Sequence, residues 1–201
     1  YDGGAASNSS YGWFGGGKNG SPGFSTVDRI DFSNDTPTAS PKGNLANAVA
    51  LIAATGDPNY GYFGGAGPAF SAKSYIQRIE YANDTATASP KGPLATAVRE
   101  TGAVSSRSNA LPGDAVGDRV YGTPVPTTGP LGPAYGYTVG GLGYSLYQRV
   151  DYSNDTATAT NQAHTTNSSQ LSLSVGNTTH AFSWVSGGQG QFSSIVERYD
   201  Y

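Results

Sequence analysis

Through residues 48–89 the chain reads as short runs of strand-forming residues cut by turn formers. Ala48–Thr55 is almost wholly apolar, Tyr60–Phe63 is aromatic, Ser74–Tyr81 mixes polar and apolar positions, and Thr85–Ser89 is a Thr/Ala run. Gly56-Asp57-Pro58-Asn59, the Gly64-Gly65 stretch and Asn83-Asp84 separate them. Short runs bounded by Gly, Pro, Asn and Asp predict four β-strands. The best helix candidate, Ala46–Ala54, carries Val and Ile between turn residues and suits a buried strand as well.

This pattern recurs. Aligning the basic position gives "VDRIDFSNDT" at Arg29, "IQRIEYANDT" at Arg78, "YQRVDYSNDT" at Arg149 and "VERYDY" at Arg198. The spacings are 49, 71 and 49 residues, which defines a unit of 49 with about 22 residues inserted in the third copy. A second landmark keeps its order relative to the first: "YGWFGG" ends at Gly16, "YGYFGG" at Gly65, "YGYTVGG" at Gly141 and "FSWVSGG" at Gly188. Repeats of this length mean an array of like units that bury their faces against one another. Four short strands per unit is the arithmetic of a β-propeller blade, with a solenoid of stacked sheets as the main rival. Burial on both faces of a blade accounts for the weak in–out alternation. The approximate repeats are 4–46, 47–94, 95–160 with an insertion at 103–133, and 161–201, forming one repeat domain. The fourth copy lacks its outer strand, so a closed ring, a longer propeller and a strand supplied by a neighbouring subunit all remain open.

Composition narrows the function. With 29 Gly and 14 Tyr against a hydrophobic fraction of 36%, the chain is β-rich. Charged residues make up 12% and the net charge is −3, so no electrostatic footprint for nucleic acid or anionic lipid exists. Cys is absent, which removes disulfides, thiol nucleophiles and the common structural zinc sites. Met is absent even at position 1, and neither a long apolar run nor a charged-then-apolar leader occurs. The expectation is a processed product or a portion of a longer chain, without transmembrane helix or signal peptide.

The string from "GYFGG" through "VDRIDFSNDT", "TASPKG" and "LIAATG" resembles the kelch-like repeats of structural and tail-fibre-like proteins of marine phages, of cyanobacteria and Pelagibacter. The resemblance spans the chain apart from 103–133 and is best in the first two copies. The third copy replaces "SPKG" with "TNQAHTTNSSQ". The resemblance implies a virion or fibre component and no catalytic residues. Blades of this kind place a Gly-Gly after the second strand, where the chain turns near a crowded axis.

Arg29 with Asp31, Arg78 with Glu80, Arg149 with Asp151, and Arg198 with Asp200 stand two apart, so each pair shares one strand face. As every copy carries the pair whereas a catalytic site is normally unique, these residues are read as structural braces between blades or across turns. The triplets beginning at Asn34, Asn83 and Asn154 suit turns. Each is formally an N-glycosylation acceptor, as Asn177-Thr178-Thr179 is.

Candidate chemistry is thin. His164 and His180 sit in no triad or metal spacing. Asp57, Glu100, Asp114 and Asp118 would make a glycosidic acid pair only by converging in space. "GDPNYG" and "PGDAVGD" offer oxygen ligands without the dense Asp spacing of a calcium loop, so no cofactor or metal is expected and calcium is an unsupported alternative. "FGGGKNG" at 14–20 lacks the Ser or Thr and the helix of a phosphate loop. The insertion breaks the pattern with Arg107, Asn109, Asp114, Asp118, Arg119 and Tyr121, hydrogen-bonding groups beside an aromatic platform suited to a sugar ring. A plain packing or subunit-contact loop explains it equally.

The expectation is an all-β, kelch-like β-propeller or propeller-like array of four four-stranded repeats. It would serve without catalysis as a virion fibre or appendage protein, extracellular on the particle. Its expected partners are other fibre subunits, including further copies of itself, and a host surface glycan. Nucleic acid and membrane insertion are not expected. The alternatives are a carbohydrate-active enzyme on a propeller, hydrolase or lyase, and a self-assembling fibre subunit.

Overall fold

A computed structural model describes residues 1–20, 22–65, 71–106, 134–141, 143–169, 172–176, 180–185 and 195–200. The chain is all-β, and its four antiparallel sheets stand as the blades of a β-propeller. Blade 1 runs β1 (Gly3–Ser7), β2 (Tyr11–Gly16), β3 (Val27–Asp31) and β4 (Ser40–Pro41). Blade 2 repeats the order with β5 (Ile52–Gly56), β6 (Tyr60–Gly65), β7 (Ile76–Glu80) and β8 (Ser89–Pro90). Blade 3 comprises β9 (Gly102–Ser105), β10 (Tyr135–Val139), β11 (Tyr144–Asp151) and β12 (Thr160–Ser169). Among the described residues blade 4 has three strands, β13 (Ser172–Gly176), β14 (His180–Val185) and β15 (Val196–Asp200). Each blade is a meander in which sequence neighbours pair.

The first strand of each blade is innermost. β1 packs on β5, β5 on β9 and β9 on β13. Among the described residues no comparable contact brings β13 against β1. Three apolar clusters follow this order and lie between successive blades. Trp13, Val27, Phe63 and Tyr81 fill the first, Tyr62, Ile76, Val98 and Tyr152 the second, and Tyr137, Tyr147 and Ala181 the third.

The repeat of 49 is written into the backbone beside the axis. Asp2, Leu51 and Glu100, spaced by that unit, adopt left-handed φ of 69°, 59° and 59°. The Leu51 N–H donates to the Asp2 carbonyl at 2.8 Å, and the Glu100 N–H to the Leu51 carbonyl at 3.0 Å. This conformation strains a residue with a side chain. It also ends the run expected over Ala48–Thr55, so the strand starts at Ile52. Gly16 and Gly65 close the second strands with φ of 70° and 87°. A Cβ on Gly16 would lie 2.9 Å from the Val49 carbonyl oxygen, so the close approach requires glycine.

Other boundaries also move. Thr85 and Ala86 are turn and bend and Thr87 and Ala88 lie outside any strand, leaving an outer strand of two residues, and Tyr81–Asn83 forms a 3-10 turn. The first residues of the stretch read as insertion, 103–106, belong to β9 and its end. The strand β12 continues past 160 to Ser169, because without the "SPKG" turn the Thr/Asn/Gln run keeps pairing with β11. The fourth landmark shifts by two. Phe182, not Trp184, lies opposite Arg198, as Trp13 lies opposite Arg29 and Tyr62 opposite Arg78. The buried Ala181 then takes the place of Gly12 and Gly61, where only a small residue fits beneath the next ring.

Candidate functional site

The repeated side chains meet between blades. At the first joint the Trp13 ring stacks on Tyr81 with centroids 3.9 Å apart and planes 9° from parallel. The Trp13 Nε1–H donates to Asp84 Oδ2 at 3.0 Å, and Arg29 Nη1 donates to the same oxygen at 2.8 Å. Lys42 Nζ lies 3.6 Å from Asp84 Oδ1. Asp84 is buried, so three donors surround a carboxylate removed from water. The Arg29 guanidinium also lies over the Tyr11 ring at 4.2 Å, which fixes its plane.

Backbone completes the joint. The Gly43 N–H donates to the Asp84 carbonyl and the Ala88 N–H to the Asn44 carbonyl, both at 2.8 Å. Gln77, fully buried, accepts the Asn47 N–H at 2.7 Å. A Cβ on Gly43 would overlap the Ala86 carbonyl oxygen, so the segment from Lys42 to Leu45 lies flat on the next blade only as glycine.

The second joint repeats the first with Tyr62 in place of Trp13. Tyr62 stacks on Tyr152 at 4.6 Å, and its hydroxyl donates to Asp155 Oδ2 at 3.0 Å. Arg78 Nη1 donates to that oxygen at 2.6 Å and Lys91 Nζ lies 3.3 Å from Oδ1. The Gly92 N–H donates to the Asp155 carbonyl at 2.8 Å, and Gln148 accepts the Thr96 N–H at 2.8 Å. Burial and then the Asp155 charge push the Tyr62 phenol far above its ordinary range. It acts as a fixed neutral donor rather than as an acid.

The third joint departs from this plan. Tyr147 stacks on Tyr199 at 4.9 Å and Tyr137 meets the same ring at 5.6 Å, tilted by 59°. Arg149 lies over Tyr135 at 4.4 Å. Burial, then Tyr199, pushes the Tyr137 phenol up to about 12. In blade 4, Arg198 turns back on Asp200 of its own strand at 3.0 Å.

Elsewhere the Arg side chains of blades 1 and 2 reach the next blade, while Asp31 and Asp151 brace their own turns. Asp31 accepts the Ser33 N–H and hydroxyl at 2.9 and 2.7 Å. Those hydrogen bonds hold its carboxyl below the ordinary range. Asp151 does the same for Ser153 at 2.9 and 2.6 Å. Glu80 is exposed. The partners that sequence reasoning missed are Asp84 and Asp155, together with Trp13, Tyr62, Tyr81, Tyr152, Lys42 and Lys91. Their signal was the 49-residue spacing of "SPKG" and the recurrence of the Asn-Asp-Thr triplet at Asn34, Asn83 and Asn154.

Among the described residues, the remaining candidates Asp57, Glu100, His164 and His180 stay apart. Asp57 accepts the Asn59 and Tyr60 N–H groups at 2.7 and 2.8 Å, an Asx turn. Glu100 approaches Arg99 at 3.8 Å. His164 contacts the Ser145 hydroxyl at 3.2 Å and His180 lies 3.4 Å from Asp200. Arg107, Asn109, Asp114, Asp118, Arg119 and Tyr121 lie outside the described residues, as does Asn177-Thr178-Thr179. The chain leaves the described fold at Ser106 and re-enters at Ala134, between the paired ends of β9 and β10. In blades 1 and 2 the same connection is a tight turn, Asn8–Ser10 and Asp57–Asn59.

Two cavities bear on binding. An apolar one of about 20 Å³ between blades 2 and 3, lined by Tyr62, Ile76, Tyr137 and Tyr152, holds no more than one water. A polar groove of about 200 Å³ on blade 1 is lined by Arg29, Asp31, Asn34, Pro37, Thr38 and Ser40. On blade 2 the corresponding surface, Thr85–Ala88, is covered by the segment around Gly43 and Asn44. Among the described residues no three His, Asp or Glu side chains gather as a metal site. No family model matches the chain, and a search of curated proteins finds none that resembles it.

Proposed function

We propose that this chain is a non-enzymatic scaffold of a virion fibre or surface appendage. In this reading the stretch 107–133 serves attachment to a host glycan or contact with other virion proteins. The observation that supports this reading is the use of the repeated polar residues. Arg29, Arg78, Asp84 and Asp155 spend their hydrogen bonds on blade-to-blade joints, as a rigid support requires. The resemblance of the repeats to kelch-like phage proteins supplies the virion context. Arg107, Asn109, Asp114, Asp118, Arg119 and Tyr121 supply donors, acceptors and a ring for a sugar.

The test compares the intact chain with a variant whose residues 107–133 are replaced by a tight turn such as Asn8–Ser10 of blade 1. Because Ser105 pairs with Gly136, this replacement spares the sheet. Glycan-array binding by the intact chain and its loss in the variant is the expected result. Binding by neither form removes the adhesin role. Release of reducing ends from a bound polysaccharide would overturn the non-enzymatic reading.

A further inference from the structure

The two ends of the blade array carry the repeat positions that form the two sides of an internal joint. A blade's leading face is here the one turned toward the preceding blade, and its trailing face the one turned toward the next. At the first joint the trailing face of blade 1 offers Ala6, Trp13 and Val27, and the leading face of blade 2 offers Ile52, Phe63 and Tyr81. All six are buried.

The same positions at the ends of the array are open. On the leading face of blade 1, Phe14 and Phe32 replace Phe63 and Tyr81. Phe32 is 50% exposed where Tyr81 is 8%. On the trailing face of blade 4, Val175, Phe182 and Val196 replace Ala6, Trp13 and Val27, with Leu173 beside them. Leu173 and Val175 are each 69% exposed. Apolar rows of this kind on opposite ends of one molecule mark interaction surfaces.

The halves match in size and charge. Inside the molecule small Gly4 and Ala6 meet the larger Ile52 and Ala54 across the innermost strands. At the ends the order is reversed, with Leu173 and Val175 large and Gly3 and Ala5, both exposed, small. Arg198 holds the position of Arg29, and exposed Asp35 holds that of Asp84. The small-to-large fit and the pairing of Arg198 with Asp35 are both available only when a leading face meets a trailing one.

We propose that a second copy of this chain docks head-to-tail, its leading face (Phe14, Phe32, Asp35) on the trailing face (Leu173, Val175, Arg198) of the first. Joined at both ends, two copies make a ring of eight blades, within the roughly 4–8 typical of propellers. If the rotation per blade does not close that ring, the same contact propagates as a filament. The contact is independent of any glycan.

Sedimentation velocity over a concentration series tests this. The 201-residue chain of 20.6 kDa should associate into multiples of that mass. Phe14→Glu/Phe32→Glu and Leu173→Glu/Val175→Glu, each alone, should remain monomeric. Their equimolar mixture should form a 1:1 dimer, since one good face of each kind remains. Circular dichroism checks that both variants are folded. The charge pair gives an independent route, with Arg198→Asp or Asp35→Arg alone weakening association on the order of tenfold and the combination restoring it. A wild-type chain that stays monomeric throughout overturns the proposal. So does a folded single-face variant that still pairs with itself, or a charge pair that shows no rescue.

Discussion

Arg29 in blade 1 donates to Asp84 in blade 2 at 2.8 Å across 55 residues of chain. Arg78 and Asp155 repeat the contact at 2.6 Å across 77. The inserted residues of the third copy lengthen the path between partners and leave the joint intact, because they enter between β9 and β10, away from it. The joint, rather than the single blade, is thus the repeating unit of stability.

Asp84 and Asp35 occupy the same place in the repeat, but only Asp84 is buried against donors. Asp84→Ala should lower unfolding free energy by about 3–5 kcal/mol, toward the lower end because Arg29 is partly exposed. Asp35→Ala in dilute monomer should change it by less than about 0.5 kcal/mol. Urea unfolding of both variants gives the comparison, and equal effects would sink the cross-blade assignment.

Gly43 and Gly92 lie flat on the Ala86 and Ala157 carbonyls of the following blade. Alanine at either position should destabilise by about 1–3 kcal/mol through overpacking. Melting temperatures measured for both variants should fall together, since the two joints are built alike.

Glu100 carries a left-handed φ of 59° and makes a long ion pair with Arg99. Glycine adopts that conformation freely, which offsets its greater entropy loss on folding. Glu100→Gly should therefore raise stability by about 0.5–1 kcal/mol in thermal unfolding. A clear loss would show that the backbone there is unstrained.

Buried tyrosines set an alkaline limit. Tyr137 is pushed from an ordinary 10.0 up to about 12, and burial raises Tyr62, Tyr81 and Tyr152 as well. The neutral phenol is favoured in the folded state, so its contribution is complete below 10.0. It is lost as the pH rises through about 12. Tyrosinate absorbance followed with circular dichroism should show the last phenols ionising together with loss of the β signal. Ionisation of all tyrosines near 10.0 with the fold intact would contradict the buried stacks.

The repeat, its length, the strand count and the all-β class were legible in the sequence, since period and turn chemistry are local properties of a chain. The Asn-Asp-Thr triplets were equally legible as turns. What the sequence left undecided was the partner of each repeated charge. Arg29 has Asp31 two residues away on the same strand, and one copy, Arg198 with Asp200, does pair that way. Only the stacking of sheets decides that Arg29 and Arg78 reach forward to the next blade, because that choice depends on which acid is buried with them. The register of Phe182 opposite Arg198 is tertiary for the same reason: "FSWVSGG" matches the landmark by letter, while the small buried site at Ala181 shifts it by two. Local pattern determined the blade, and packing between blades determined which side chains meet.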